Sequence, residues 1–220
     1  VDRLVRAHFA DLRAPAESAD RTYYPVPDHA ETLFAIATDP EATGNSVSIY
    51  YKQDVRPDST VDAYRRSMME SLYHGMFNRR LFELTRTANP AFLAAGSGQG
   101  RWLRTKEFYS LGARVQNNGF ARGLEALLTE ATRVRRHGFT GTELARQKKQ
   151  ILRSMEQVYR ERDKTQSARF ASEYVRHVLE GEQIPGIERE LELHKQLLPT
   201  ISLADVNALA RQSTRTDNRV

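Results

Sequence analysis

"FLAAGSGQGRWLRTKEFYSLGARV", residues 92 to 115, decides the fold. Its second half places Tyr109, Leu111, Ala113 and Val115 at alternate positions, the period of a strand with one buried face. Its first half is a second strand-like run, and the glycines of "GSGQG" supply the connection, so the segment predicts an antiparallel hairpin. Upstream, "ETLFAIATD" (31–39) and "NSVSIYYKQ" (45–53) predict two further strands about the turn "DPEATGN", the second alternating Val47, Ile49 and Tyr51 with Ser46, Ser48 and Tyr50.

The remaining periodicity is helical. Ser59 and Asp62 open a helix to about Arg86, with Val61, Tyr64, Met68, Leu72 and Met76 as one stripe and Met69, Tyr73, Phe77, Leu81 and Leu84 as another. Gly75 within it costs about 1 kcal/mol relative to alanine and predicts the close approach of another backbone. From Gly119 a helix carries Phe120, Leu124, Leu127, Leu128, Ala131 and Val134 and stops at His137 and Gly138. Thr140 and Glu143 then form a capping box with Phe139 and Leu144 as its staple, so "HGFTGTELARQKKQ" (137–150) is a corner between helices. Lys148 and Lys149 are expected on the outer side of the next helix, which carries Leu144, Ile151, Leu152, Met155 and Tyr159. Three more helices follow, the last opened by Ser202 and Asp205 with an Ile201/Val206 staple, and "RTDNRV" (215–220) reads as entry into a further strand. The fold class is α/β (α+β): a mainly antiparallel sheet of five or six strands covered by long helices.

Composition narrows the chemistry. The 220 residues are 40% hydrophobic and 28% charged, with no run approaching the roughly eighteen apolar residues of a membrane span. The absence of cysteine excludes disulfides, iron–sulfur ligation, thiolate zinc sites and cysteine nucleophiles, and leaves periplasm and cytoplasm both compatible. None of the six histidines belongs to H-x-x-E-H or its inverse; Glu70/His74, Glu173/His177 and Glu190/His194 are spaced for a hydrogen bond on a helix face. Ser97 lacks the strand–elbow–helix context of a nucleophile, and "GSGQG" lacks the Lys-Ser/Thr ending of a phosphate loop. Basic residues 146, 148, 149, 153, 160, 162 and 164 make nucleic-acid binding a remote alternative, but Glu143, Glu156, Glu161 and Asp163 interleave with them as on a solvated face; no nucleic acid is expected as a partner.

"HGMFNRRLFELTRTANPAFLAAGSG" (74–98), "GFTGTEL" (138–144), "YRERDKTQSARFASEYVRHVLEGEQIPG" (159–186) and "LLPTISLADVNALA" (197–210), in this order, resemble the second domain of the pitrilysin/insulinase-type zinc metallopeptidases. In that family each half of the enzyme holds two related α/β domains, and the first binds zinc through H-x-x-E-H and a distal glutamate. The motif is absent here. The resemblance implies that residues 1–21, a helix tail with Val5, Phe9 and Leu12 and an Ala/Pro/Ser linker, lead out of a zinc-bearing catalytic domain. Residues 22–220 would be its non-catalytic companion, with no cofactor of its own. The implied roles are to wall a peptide-holding chamber and to brace the zinc domain, with a peptide or small protein as substrate and the other domains of the same peptidase as partners. The implied substrate-binding residues are Ala94, Ala95, Gly96 and Ser97, where a peptide adds as a strand; no catalytic or metal residue is expected in this chain. The alternative is a catalytically inactive structural or assembly relative of the same fold.

Overall fold

The computed structural model describes residues 2–13, 20, 22–212 and 214–220, so the expected linker at 14–19 and 21 lies outside the described residues. Three strands form an antiparallel sheet in the order β1-β3-β2: β1 (Asn45–Asp54), β2 (Ala94–Leu103) and β3 (Lys106–Val115). Tyr109, Leu111, Ala113 and Val115 are buried as their alternation requires, and they share a face with Ile49 and Tyr51 of β1.

The connection between β2 and β3 differs from the expectation. The chain turns at Arg104 and Thr105, while Gly96, Gly98 and Gly100 lie inside β2. On the sheet face away from the core, Phe108 occupies the place of a Gly100 side chain: a Cβ there would lie 3.1 Å from Phe108 Cζ. Tyr50 and Trp102 complete an aromatic cluster with Phe108, at ring separations of 4.7 to 5.7 Å. Aromatic packing over the edge strand thus replaces the missing side chain and keeps the glycine run extended.

The strand count is also corrected, to three among the described residues rather than five or six, and 31–39 is not one of them. An apolar run alone makes no strand; a ladder of partners is needed, and Phe34 and Ile36 stand 85% and 92% exposed. Among the described residues the segment is tied near its start, where Leu33 N–H donates to Arg219 C=O and Asn218 N–H to His29 C=O. Residues 218–220 in turn pair along the outer edge of β1 through Lys52 and Tyr50, which agrees with a strand beginning in "RTDNRV".

The helices cover the buried face of the sheet. α1 (Asp2–Phe9) is exposed throughout, with Leu4, Val5 and Phe9 all in solvent. α2 (Val61–Leu84) packs on β2 and buries Met68, Leu72, Tyr73, Met76, Phe77 and Leu81. Its cap is Thr60, whose Oγ1 accepts from Ala63 N–H at 3.1 Å, one residue later than the expected Ser59. α3 (Phe120–His137) packs on β3, burying Leu127, Ala131 and Val134, while Phe120 stays 45% exposed. α4 (Gly141–Arg160) crosses α2 at Gly75, where the close neighbour is the Gln147 side chain rather than another backbone. α5 (Ser167–Glu180) buries none of its residues; α6 (Ile187–Leu197) packs on α4; and α7 (Leu203–Gln212) packs on α2 and α3.

The corner at 137–144 forms as its residues dictate. Thr140 Oγ1 accepts from Glu143 N–H, and the Glu143 carboxylate accepts from Thr140 N–H at 2.7 Å. Gly138 ends α3 at φ +71°, a conformation that penalises a side chain. Asn207 of α7 holds the next peptide, accepting from Phe139 N–H at 2.7 Å. Arg80 of α2 closes the corner, with Nε and Nη2 on the two Glu143 oxygens at 2.6 and 2.9 Å and its guanidinium over the Phe139 ring. At the second capping box, Ser202 and Asp205 bond reciprocally over the buried pair Ile201 and Val206. Lys148 departs from the outer face expected for it and donates to Ile201 C=O at 2.5 Å, satisfying a carbonyl at the entrance to α7.

Candidate functional site

The strand order leaves β2 at one edge of the sheet, and Ala94, Ala95, Gly96 and Ser97 lie at its start. Ala94 is exposed and the other three are half-buried. Antiparallel pairing directs the main-chain polar groups of alternate residues to opposite edges. Ser97 turns its pair away from β3: its N–H donates to Asn78 Oδ1 at 2.6 Å, and its C=O accepts from Asn78 Nδ2 at 3.1 Å. The same alternation directs the peptide groups of Ala95 and Gln99 to the outer edge.

Two glycines of this edge have room for a side chain. A Cβ on Gly96 would meet nothing nearer than Asn78 Oδ1 at 3.8 Å, and one on Gly98 nothing nearer than Ser110 Oγ at 3.5 Å. Both are ordinary contact distances. Packing inside this chain therefore does not account for the small residues at 96 and 98. Glycine in a strand interior weakens it, and close approach by another backbone or a ligand is one physical reason to retain it.

Behind the edge stands an imidazole whose helical spacing predicts a different partner. The pairing of His74 with Glu70 does not form; its Nδ1 lies 2.8 Å from Ser97 Oγ, and its ring stacks on Tyr109. Burial lowers its pKa to about 4, so the ring is neutral near pH 7. The direction of the bond follows from its neighbours. Ser97 Oγ is 2.9 Å from Asn78 Oδ1, an atom that only accepts, so the hydroxyl proton points to Asn78 and His74 Nδ1–H donates to the serine. A nucleophilic serine needs a base that takes its proton, and this imidazole gives one instead. The trio orders the edge and does not activate it. His74 also borders a cavity of about 560 Å³, lined among others by Tyr73, Gln99, Tyr109, Gln212 and Arg215. Tyr73 and Tyr109 share a hydrogen bond of 2.8 Å there, and burial, reinforced by Tyr73, holds the Tyr109 phenol well above its ordinary pKa.

The other two expected Glu–His pairs also resolve differently. His177 Nδ1 is 2.6 Å from Glu182 C=O, and His194 Nδ1 is 2.8 Å from the main-chain carbonyl of Glu190. Nearby carbonyls satisfy these rings with less side-chain ordering than a carboxylate four residues away requires. A catalytic zinc takes three protein ligands. Among the described residues no three histidine, aspartate or glutamate side chains are grouped to hold a metal ion, so the residues here do not fit such a centre. Of the basic residues at 146–164, Lys148 is tied to the α7 entrance, and Arg162 lies over the Tyr159 ring and 3.5 Å from Glu188. No helix among the described residues is long and apolar enough to cross a membrane.

What sequence reasoning missed at this site is Asn78. It lies on α2, one turn beyond His74, and that spacing of four is the one available signal that both side chains reach the same strand.

No family model matches the chain. A protein of Arabidopsis thaliana named Zinc protease PQQL-like is 34% identical over 204 residues, which are 93% of this chain and 18% of that protein. The first half of the periplasmic protease PqqL from Escherichia coli superposes with a TM-score of 0.86 at 16% identity, covering 98% of this chain and 46% of that one. An insulinase family protease from Yersinia pestis superposes with a TM-score of 0.80 at 15% identity, covering 100% and 47%. The chain thus spans less than a fifth of the curated relative and about half of each of these two structures.

Proposed function

Since the chain belongs to the pitrilysin/insulinase-type zinc peptidases, we propose that residues 22–220 act as a non-catalytic α/β domain of such an enzyme. They wall the chamber that holds a peptide or small-protein substrate and brace a zinc-bearing domain of the same polypeptide, to which residues 1–21 lead. Substrate enters as an extended segment alongside β2 at Ala94, Ala95, Gly96 and Ser97. The observation that carries this reading is the space at Gly96 and Gly98: small residues on an edge strand whose size nothing inside the chain demands.

The test uses that space. A Cβ fits at Gly96, and Gly96→Val, a β-branched residue suited to a strand, is expected to fold with an unchanged circular dichroism spectrum. On the proposed reading it nonetheless weakens the binding of a fluorescein-labelled extended peptide about tenfold, since the added side chain crowds the side chain beside it on the incoming strand. A folded variant with undiminished affinity would count against substrate at this edge. Equilibrium dialysis against zinc checks the division of labour: the chain is expected to retain no stoichiometric metal and to hydrolyse no peptide. One tightly held equivalent with peptide hydrolysis would place the chemistry in this chain.

A further inference from the structure

The Asn78 carboxamide faces Ser97 as a neighbouring strand would. Its oxygen accepts from Ser97 N–H at 2.6 Å and its nitrogen donates to Ser97 C=O at 3.1 Å, the reciprocal pair that one residue makes with the residue opposite it across an antiparallel ladder. The Ser97 hydroxyl adds a bond to the same oxygen at 2.9 Å, and His74 orients that hydroxyl at 2.8 Å. Both side chains rise from α2, which packs along β2. The outer edge of the sheet is therefore already paired at its middle, and a peptide reaching for Ser97 meets an occupied partner. From this we infer that Asn78 is a built-in surrogate strand that gates β2, so that an extended peptide adds across Ser97 only by displacing the carboxamide.

This rests on the proposal that substrate pairs with β2. The physical consequence is competition: binding is weakened by the fraction of time the carboxamide holds the site. Edge strands are commonly blunted against unwanted pairing by charge, proline or covering elements, and here a single side-chain amide serves that end. It occupies two main-chain groups that would otherwise template any passing strand.

The experiment titrates the chain with a short fluorescein-labelled peptide alternating threonine and valine, and with the same peptide N-methylated along one edge. For Asn78→Ala the expected gain in affinity for the unmodified peptide is about tenfold, the scale of one or two net hydrogen bonds. The N-methylated peptide is expected to bind neither form. Binding that is sensitive to N-methylation but equal in both forms overturns the gate and keeps the edge. Binding that is insensitive to N-methylation, or absent, overturns the edge reading and the gate with it. A peptide-free readout stands beside these: exchange of the Ser97 amide proton is expected to quicken about tenfold in Asn78→Ala while the β3 amides keep their protection. Unchanged Ser97 exchange overturns the gate. Should the alanine variant fail to fold, Asn78→Asp keeps the acceptor for Ser97 N–H and loses the donor to its C=O, and the same two readouts apply.

Discussion

Replacing Arg80 with alanine is expected to cost about 3–5 kcal/mol of folding stability, read as a shift of the urea midpoint followed by circular dichroism. Arg80 joins three elements. It holds both oxygens of Glu143 in α4, donates to the Gly138 carbonyl at 3.1 Å, and stands 3.5 Å from Glu130, a carboxylate only 4% exposed in α3. Its removal leaves Glu130 with Arg133 alone and uncovers the Phe139 ring. Most of the cost comes from stranding two carboxylates in a partly dry site, and less from the attraction that the guanidinium itself supplies. Arg80→Lys is expected to recover a minor part, because one ammonium cannot reproduce the planar fork that spans Glu143. The acid limb provides a second readout. Burial alone would raise the Glu143 carboxyl, but its bonds from Arg80 and Thr140 outweigh that and bring it down to about 2. The stability it supplies is complete above pH 4.5 and disappears as pH falls toward 2, so in Arg80→Ala this part of the acid transition flattens. A loss under about 1 kcal/mol would show that the corner holds without its clamp.

The second large effect concerns His74. Burial lowers its pKa from 6.5 to about 4, so between those values the unfolded chain takes up a proton that the folded chain refuses. Stability from this group is whole above pH 6.5 and is lost as pH falls to 4, by roughly 3 kcal/mol in all. The Glu143 window, from 4.5 to about 2, meets this one only at its acid end, and a variant at position 74 alone carries the same Glu143 contribution, so the difference between the two forms isolates His74. His74→Gln retains a donor for Ser97 Oγ and does not titrate. Urea unfolding at pH 7, 5 and 4 should therefore show the native chain losing about 3 kcal/mol more than the glutamine variant over this range. Parallel slopes would mean that the imidazole is not shielded as described.

These two residues mark where the sequence stopped being legible. Helix ends are local: Thr140 with Glu143, and Ser202 with Asp205, meet three residues apart, so their capping boxes could be read directly and both formed. The α/β class and the β2–β3 hairpin rest on periodicity and were equally readable. Strand number was not, because 31–39 carries an apolar run that becomes a strand only beside a partner that the local sequence cannot name. At the candidate site, the small residues of β2 were visible as composition. Asn78 on Ser97 and Arg80 on Glu143 join residues 19 and 63 positions apart, and only the packing of α2 on β2 and α4 brings them together.

The aromatic cluster at the hairpin tip has a spectroscopic consequence. Trp102, the chain's single indole, lies 46% exposed at the end of β2 beside Tyr50 and Phe108, on the far side of the sheet from α2 and α3. Ultraviolet emission from this protein is thus a reporter of hairpin fraying. It is nearly blind to whether the layer beneath α2 and α3 remains closed.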